Sequence, residues 1–127
     1  MNFEFECKTE NESNPKEAFI ATFNFEVNEN VDIGYTFTFG IDRREEGYIL
    51  YGYDEEYSWD DLINGKTIDI LDIEQSKIKF SIEEEYFNLR LKGGCDWTGE
   101  NNLRIKITSE MREKIISEFE KCKKYFE

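Results

Sequence analysis

The chain has 127 residues, a formal net charge of −13 at pH 7 and 16% aromatic residues. A domain of this length buries roughly two-thirds of the surface of its unfolded chain, and this aromatic content argues against disorder, so one folded domain is predicted over residues 1–127. The negative charge repels nucleic acid and anionic membranes, and no run approaches the roughly 18 apolar residues of a transmembrane helix. We therefore expect neither direct nucleic-acid binding nor membrane insertion.

Alternating apolar and polar residues predict three strands in the first third of the chain, because a period of two puts the apolar side chains on one face. The predicted faces are Phe3, Phe5 and Cys7 in the first strand, Phe19, Ala21, Phe23, Phe25 and Val27 in the second, and Ile33, Tyr35, Phe37, Phe39 and Ile41 in the third. A charged turn is predicted at residues 42–47 and a fourth strand at 48–53.

A short helix is predicted after Ser58, whose hydroxyl can cap it, with Asp60 and Asp61 in its first turn. Gly65 would end this helix, and a hairpin turn at Asn64-Gly65 is the alternative. Further strands are predicted at 67–73, 77–83, 86–92 and 103–107, and Gly93-Gly94 opens a loop that carries Trp97.

The last segment changes from a period of two to a helical period. Thr108 can cap a helix, and apolar residues then recur at steps of three and four: Met111, Ile115, Phe119, Cys122 and Phe126. Such a stripe must dock on a sheet. The predicted fold class is therefore α+β: an antiparallel meander of about eight strands, as a curved sheet or an open barrel, with one C-terminal amphipathic helix packed on it.

The sequence lacks the usual catalytic residues. It has no histidine, which removes the commonest general base, the Ser-His and Cys-His pairs and every histidine-based zinc site. Three cysteines without a C-x-x-C pair, and an N-terminus without a signal peptide, indicate a cytoplasmic protein. We predict no enzyme and no cofactor. Calcium is the one metal to consider, but the acidic spacing does not match an EF-hand, so no metal site is predicted.

One segment combines aromatic and acidic side chains in the way that binding hot spots do. The candidate partner-binding residues in it are Tyr53, Asp54, Glu55, Glu56, Tyr57, Trp59, Asp60 and Asp61. Glu45 and Glu46 would extend the segment into one acidic rim if they lie at the same end of the sheet. The alternative is that Tyr57 and Trp59 only close the end of the sheet.

A second charged pattern has the opposite sign. Basic residues occupy the outward positions of the last three predicted strands: Lys77, Lys79, Arg90, Lys92, Arg104 and Lys106. Adjacent like charges repel. The favoured explanation is that the first strand closes beside the last, so that Glu4 and Glu6 offset these charges. Otherwise the strands form a local anion-binding face.

Charge is unevenly distributed, with 19 acidic and 5 basic residues in 1–74 but 10 and 11 in 75–127. The leading hypothesis is therefore an acidic inhibitor that blocks a basic surface of a protein partner, such as a nucleic-acid-binding enzyme or a toxin. Immunity proteins and phage anti-defence inhibitors, anti-CRISPR proteins among them, are of this type, and the acidic patch would act as a nucleic-acid mimic. The alternatives are a barrel-like carrier of a small ligand and a homo-oligomeric structural module.

Overall fold

The structure is a computed structural model that describes residues 3–71, 77–92 and 100–127. Within these ranges the chain forms ten strands, two α-helices and a terminal 3₁₀ helix. They are β1 (Phe3–Thr9), β2 (Phe19–Asn28), β3 (Val31–Phe39), β4 (Ile41–Arg44), β5 (Gly47–Tyr51), β6 (Glu56–Ser58), α1 (Trp59–Ile63), β7 (Ile68–Leu71), β8 (Lys77–Ile82), β9 (Tyr86–Lys92), β10 (Glu100–Lys106), α2 (Ser109–Lys121) and the 3₁₀ helix Cys122–Phe126. The predicted loop with Gly93-Gly94 and Trp97 lies outside the described residues.

The strands divide into three antiparallel sheets. The first has the order β1-β2-β3, the second β4-β5-β6 and the third β10-β9-β8-β7. The prediction of an α+β fold with antiparallel strands and a C-terminal helix is confirmed. The prediction of one meander of about eight strands is wrong, because the chain leaves one sheet and begins another at two points.

The first break lies at Gly40, between β3 and β4. A Cβ atom there would lie 3.0 Å from Cδ2 of Tyr51, so a larger residue at this position would press against the Tyr51 ring of β5. The predicted charged turn at 42–47 is also wrong in its extent. Asp42 and Arg43 pair with Ile49 and Tyr48 as part of β4, and only residues 45–46 remain as the turn.

The second break is α1, which was predicted correctly. Ser58 Oγ accepts a hydrogen bond from the backbone N–H of Asp61 at 3.1 Å, and the Asp61 carboxylate accepts from the N–H of Ser58 at 3.1 Å. These reciprocal bonds satisfy two donors that a helix N-terminus otherwise leaves without partners. Gly65 follows the helix with φ of +84°, a conformation that favours glycine.

Phenylalanine rings join the first sheet, the third sheet and α2. Ring centroids lie 5.4 Å apart for Phe23 and Phe87, and 5.1 Å apart for Phe37 and Phe80. Phe119 of α2 lies 5.8 Å from Phe80. Each of these rings is almost fully buried, and burial of a large apolar side chain stabilises a fold by about 1.5–3 kcal/mol. The core therefore lies between the inner faces of the first and third sheets and the C-terminal helix α2.

The predicted stripe of α2 is the face that docks. Thr108 Oγ1 accepts from the backbone N–H of Met111 at 3.1 Å and so caps the helix as predicted. Ile115, Phe119 and Cys122 are fully buried, which confirms the predicted helical period. None of the described helices is long and apolar enough to cross a membrane.

Candidate functional site

The two aromatic residues nearest the centre of the predicted binding segment belong to the core. Tyr57 is 2% and Trp59 7% exposed. The Tyr57 hydroxyl accepts from the backbone N–H of Asp69 at 3.2 Å, and the Trp59 indole N–H donates to Glu120 Oε1 at 2.5 Å. Their rings therefore offer no area for a partner to cover. The burial of Tyr57 and Trp59 favours the alternative interpretation, in which they only close the end of the sheet.

The turn that carries Asp54 and Glu55 packs around the Tyr57 ring. Its backbone closes with a hydrogen bond from the Gly52 N–H to the Glu55 carbonyl at 2.7 Å. A Cβ atom at Gly52 would contact Cε2 of Tyr57 and lie 2.5 Å from the Glu55 carbonyl oxygen. Gly52 is therefore needed for the turn to lie flat on the ring. Asp54 and Glu55 are both exposed, and the Glu55 carboxylate also accepts a hydrogen bond from the Tyr57 hydroxyl.

The acidic residues of the two turns do not form one continuous rim. Arg44 pairs with Gly47, and Tyr51 pairs with Glu56. The turn with Glu45 and Glu46 therefore lies at one end of β5, and the turn with Asp54 and Glu55 at the other. A five-residue strand separates the two ends by about 15 Å.

Some of the predicted acidic residues are neutralised locally. Arg44 lies 2.9 Å from Glu56 Oε1 and 3.1 Å from Asp42 Oδ2, and Asp61 lies 3.9 Å from Lys66. Hydrogen bonds from the Tyr51 hydroxyl, the Arg43 N–H and Arg44 hold the pKa of Asp42 below its usual value. By contrast, Asp54, Glu55 and Asp60 form no ion pair with any residue that the structure describes.

A groove brings two exposed tyrosines together with two carboxylates from a distant part of the chain. Tyr51 is 42% and Tyr53 47% exposed. They line a cavity of about 710 Å³ with Glu10 and Glu17, above a floor of Ala18, Phe39, Gly40, Gly52 and Ile70. We call the set Glu10, Glu17, Tyr51 and Tyr53 the acidic groove. Asp54 and Glu55 follow directly after Tyr53 in the sequence.

Sequence reasoning found only Tyr53 of these four residues. Tyr51 could have been found, because it alternates with the buried Leu50 in β5 and so had to face outward. Glu10 and Glu17 carried no such signal. They lie in the loop between β1 and β2, about 40 residues away in sequence, and only the packing of the first sheet beside the second brings them near the tyrosines.

The acidic groove has the chemistry to bind a cationic side chain. Carboxylates accept charge-assisted hydrogen bonds from lysine and arginine, and a tyrosine ring attracts a cation by about 0.5–1 kcal/mol at an exposed site. There is less support for a role of these residues as ligands of a metal ion. Within the described ranges, no group of three or more acidic, cysteine or histidine side chains is arranged to hold one.

The chain was compared with protein-family models, with curated proteins and with solved structures, and none of them matches it. A function for this chain therefore has to be argued from the chemistry of its own surface. On that surface, the acidic groove combines concave shape, exposed aromatic area and negative charge.

Proposed function

We propose that the protein binds a basic surface of a partner protein through the acidic groove, and that it thereby blocks that surface. The observation that carries the proposal is the position of Tyr51 and Tyr53, both more than two-fifths exposed, in a cavity that also holds Glu10 and Glu17. Tyrosine is enriched among residues that dominate binding energy, because it covers a large area with few rotatable bonds.

The charge of the chain supports this choice of partner. A field from a net charge of −13 speeds the encounter with a basic surface and disfavours acidic competitors. Asp54 and Glu55 are the carboxylates next to the groove that lack an ion pair among the described residues, so a partner cation need not displace an internal one. We assign the central contact to the groove and these two residues.

The other candidate residues have different roles in the proposed binding. Asp60, Glu45 and Glu46 are exposed but lie away from the turn at 52–55, so they add to the field and not to the contact. Tyr57 and Trp59 support the turn from inside. A partner that normally holds nucleic acid, such as a nuclease or a toxin, offers arginine and lysine at the spacing of phosphates, and a tyrosine groove with carboxylates can imitate that ligand.

The carrier alternative has less support from the structure. The inward phenylalanine rings contact one another across the core, with centroids between 5.0 and 5.8 Å apart for Phe39–Phe119 and Phe80–Phe119. These contacts fill the space in which a barrel would hold an apolar ligand.

The proposal is tested with two charge reversals of equal size. D54K/E55K places lysines beside the groove, and E45K/E46K places them at the other end of β5. A third variant, Y51A/Y53A, removes the aromatic area without changing the charge. The first probe is a fluorescein-labelled peptide with alternating arginine and glycine, followed by fluorescence anisotropy at about 0.15 M salt.

We expect D54K/E55K and Y51A/Y53A each to weaken binding at least tenfold, and E45K/E46K to weaken it less than threefold. Partners retained by the protein from a lysate of its native source, and identified by mass spectrometry, are then measured with the same variants. Equal losses in both charge reversals would show attraction to the overall charge alone and would contradict the assignment to the groove.

A further inference from the structure

The outer face of the third sheet is basic, although the chain as a whole is strongly acidic. Outward positions of β8, β9 and β10 carry four cations whose side chains the structure describes, which we call the basic face: Lys79, Arg90, Arg104 and Lys106. In the register of the sheet, Lys79 lies opposite Arg90, and Asn102 lies opposite Arg90 on its other side. Residues directly opposite one another have Cβ atoms about 5 Å apart, and diagonal neighbours about 7–8 Å. Arg104, two residues from Asn102, is therefore a diagonal neighbour of Arg90.

The explanation favoured from the sequence does not hold. It required β1 to close beside the last strand, so that Glu4 and Glu6 would offset these cations. Instead, β1 pairs with β2 in the first sheet. Glu4 and Glu6 line a pocket with Lys114 and Lys121 of α2. The hydrogen bond and charge of Glu118 raise the pKa of Lys121, and the charge of Glu6 adds a smaller contribution. The two carboxylates therefore lie in the first sheet beside α2, and the basic face depends on other compensation.

Among the described side chains, internal compensation on the basic face is incomplete at Arg104 and Lys106. Asp69 lies 3.9 Å from Lys79, and Arg90 Nε donates to Asn102 Oδ1 at 3.0 Å. None of the described carboxylates forms an ion pair with Arg104 or Lys106. The Arg104 guanidinium lies 3.9 Å from the centroid of the Tyr86 ring. Stacking holds its position without neutralising its charge.

The basic face also forms one side of a cavity. A volume of about 430 Å³ is lined by three of its cations and by polar side chains that can donate hydrogen bonds: Lys79, Arg90, Arg104, Thr67, Ser81, Asn88 and Asn102. Ser81 is only 5% exposed, and its Oγ accepts a hydrogen bond from the Asn88 amide at 3.0 Å. This volume lies within the range of sites that bind small molecules. Glu83 also lines the cavity and accepts a hydrogen bond from the Asn88 amide.

We propose that this cavity binds a small phosphomonoester, with the phosphate group held by Lys79, Arg90 and Arg104. The three cations lie on three neighbouring strands and line one cavity, and guanidinium groups match the oxygens of a phosphate with paired hydrogen bonds. Glu83 is placed to accept a hydrogen bond from a hydroxyl of the attached group. The ligand is small because a polyanion would meet the field of a chain with net charge −13. This site shares no lining residue with the acidic groove and does not depend on the function proposed for it.

Isothermal titration calorimetry with inorganic phosphate, glucose 6-phosphate and adenosine monophosphate tests the proposal on the full chain at about 0.15 M salt. The variant K79Q/R104Q removes two cations from the cavity. The matched control K8Q/K124Q removes two exposed cations from β1 and the C-terminus. We expect saturable binding of at least one phosphomonoester by the wild type, a loss of at least tenfold in K79Q/R104Q, and less than twofold in the control.

A second measurement does not depend on whether the variant folds. In ¹H–¹⁵N spectra of the wild type, the phosphomonoester is expected to shift amide signals of β8, β9 and β10 and to leave those of β1 and β2 unchanged. The proposal is overturned by any of three results: no saturable binding at millimolar concentration, equal affinity for citrate, or tighter binding of a single-stranded oligonucleotide that is lost in the same variant. The last result would assign the basic face to a polymer backbone.

Discussion

Two groups of tyrosine, tryptophan and glutamate side chains differ in where the fold puts them. In the acidic groove, Tyr51 and Tyr53 are exposed beside Glu10 and Glu17. In the interior, Tyr57 and Trp59 are buried, and the Trp59 indole donates to Glu120. The same residue types are therefore buried in the core in one place and exposed at the surface in the other.

Register explains the difference between the two groups. Tyr57 of β6 lies directly opposite Leu50 of β5, and Leu50 is fully buried, so both side chains point into the core. Tyr51 is the next residue along β5 and points the other way. Residue type alone does not distinguish the two tyrosines, whereas the pairing of β5 with β6 does.

Truncation of one member of each group should separate them most clearly. We expect W59A to lower the free energy of unfolding by about 3–5 kcal/mol, because it leaves a cavity in the core. The matched Y53A variant should lower it by less than about 1 kcal/mol, since the ring is almost half exposed. Urea unfolding followed by circular dichroism measures both. Similar losses in the two variants would break the distinction between interior and groove.

The contrast between buried and exposed side chains also applies to the acidic residues, because one carboxylate, that of Glu118, is buried. Glu118 of α2 is 2% exposed and accepts hydrogen bonds from the Cys7 N–H at 3.1 Å, from Lys121 at 3.0 Å and from Lys114 at 3.2 Å. Burial acts to raise the pKa of Glu118, but the hydrogen bonds from Lys121, Cys7 and Lys114 together hold it below its ordinary value of 4.5. Glu118 therefore ties β1 to α2 in its ionised form.

Replacement of Glu118 is expected to have the next largest effect, and one that depends on pH. E118Q removes the charge and weakens these hydrogen bonds, and we expect a loss of about 1–3 kcal/mol near pH 7. A lowered pKa in the folded state gives stability that is present above the ordinary glutamate value and is lost as pH falls through the folded value. The gap between wild type and E118Q should therefore close as the pH drops below 4.5.

This expectation is checked by unfolding curves measured across that pH range. The proteins compared are the wild type, E118Q and the exposed-site control E113Q. E113Q should follow the wild type at every pH, because Glu113 is exposed on the same helix. A gap for E118Q that stays constant or widens in acid would mean that the carboxylate does not stabilise the junction between β1 and α2 as an ion.

The smallest effect concerns the edge of the acidic groove. The Tyr51 hydroxyl donates to Asp42 Oδ2 at 2.9 Å, and this bond is the largest contribution to the lowered pKa of Asp42. We expect Y51F to raise the pKa of Asp42 toward its usual value with little change in stability, since the pair lies at the surface. A ¹³C NMR titration of the carboxyl group measures it. An unchanged pKa would remove Tyr51 from the network around Arg44.

Local interactions account for the parts of the fold that were predicted correctly. The alternation of Phe3, Phe5 and Cys7 and the caps at Ser58 and Thr108 involve residues at most four positions apart, and so does the helical stripe through Ile115. Their physics is complete within a short segment of chain. For this reason the inward face of β1, the helix α1 and the docking face of α2 follow from sequence alone. The predicted faces of the next two strands are wrong at their ends, because Val27 is 46% exposed and Ile41 belongs to β4.

The division into three sheets and the grouping of charged side chains depend on contacts between distant segments, so only the tertiary structure decided them. The breaks at Gly40 and α1 divide the strands into three sheets, and that division brings Glu10 to Tyr51 while it takes Glu6 away from Arg104. Charge and periodicity determined that the protein is acidic and which side chains of a strand share a face. Strand pairing, whose energy depends on residues tens of positions apart, determined which charged side chains lie side by side and which lie on separate sheets.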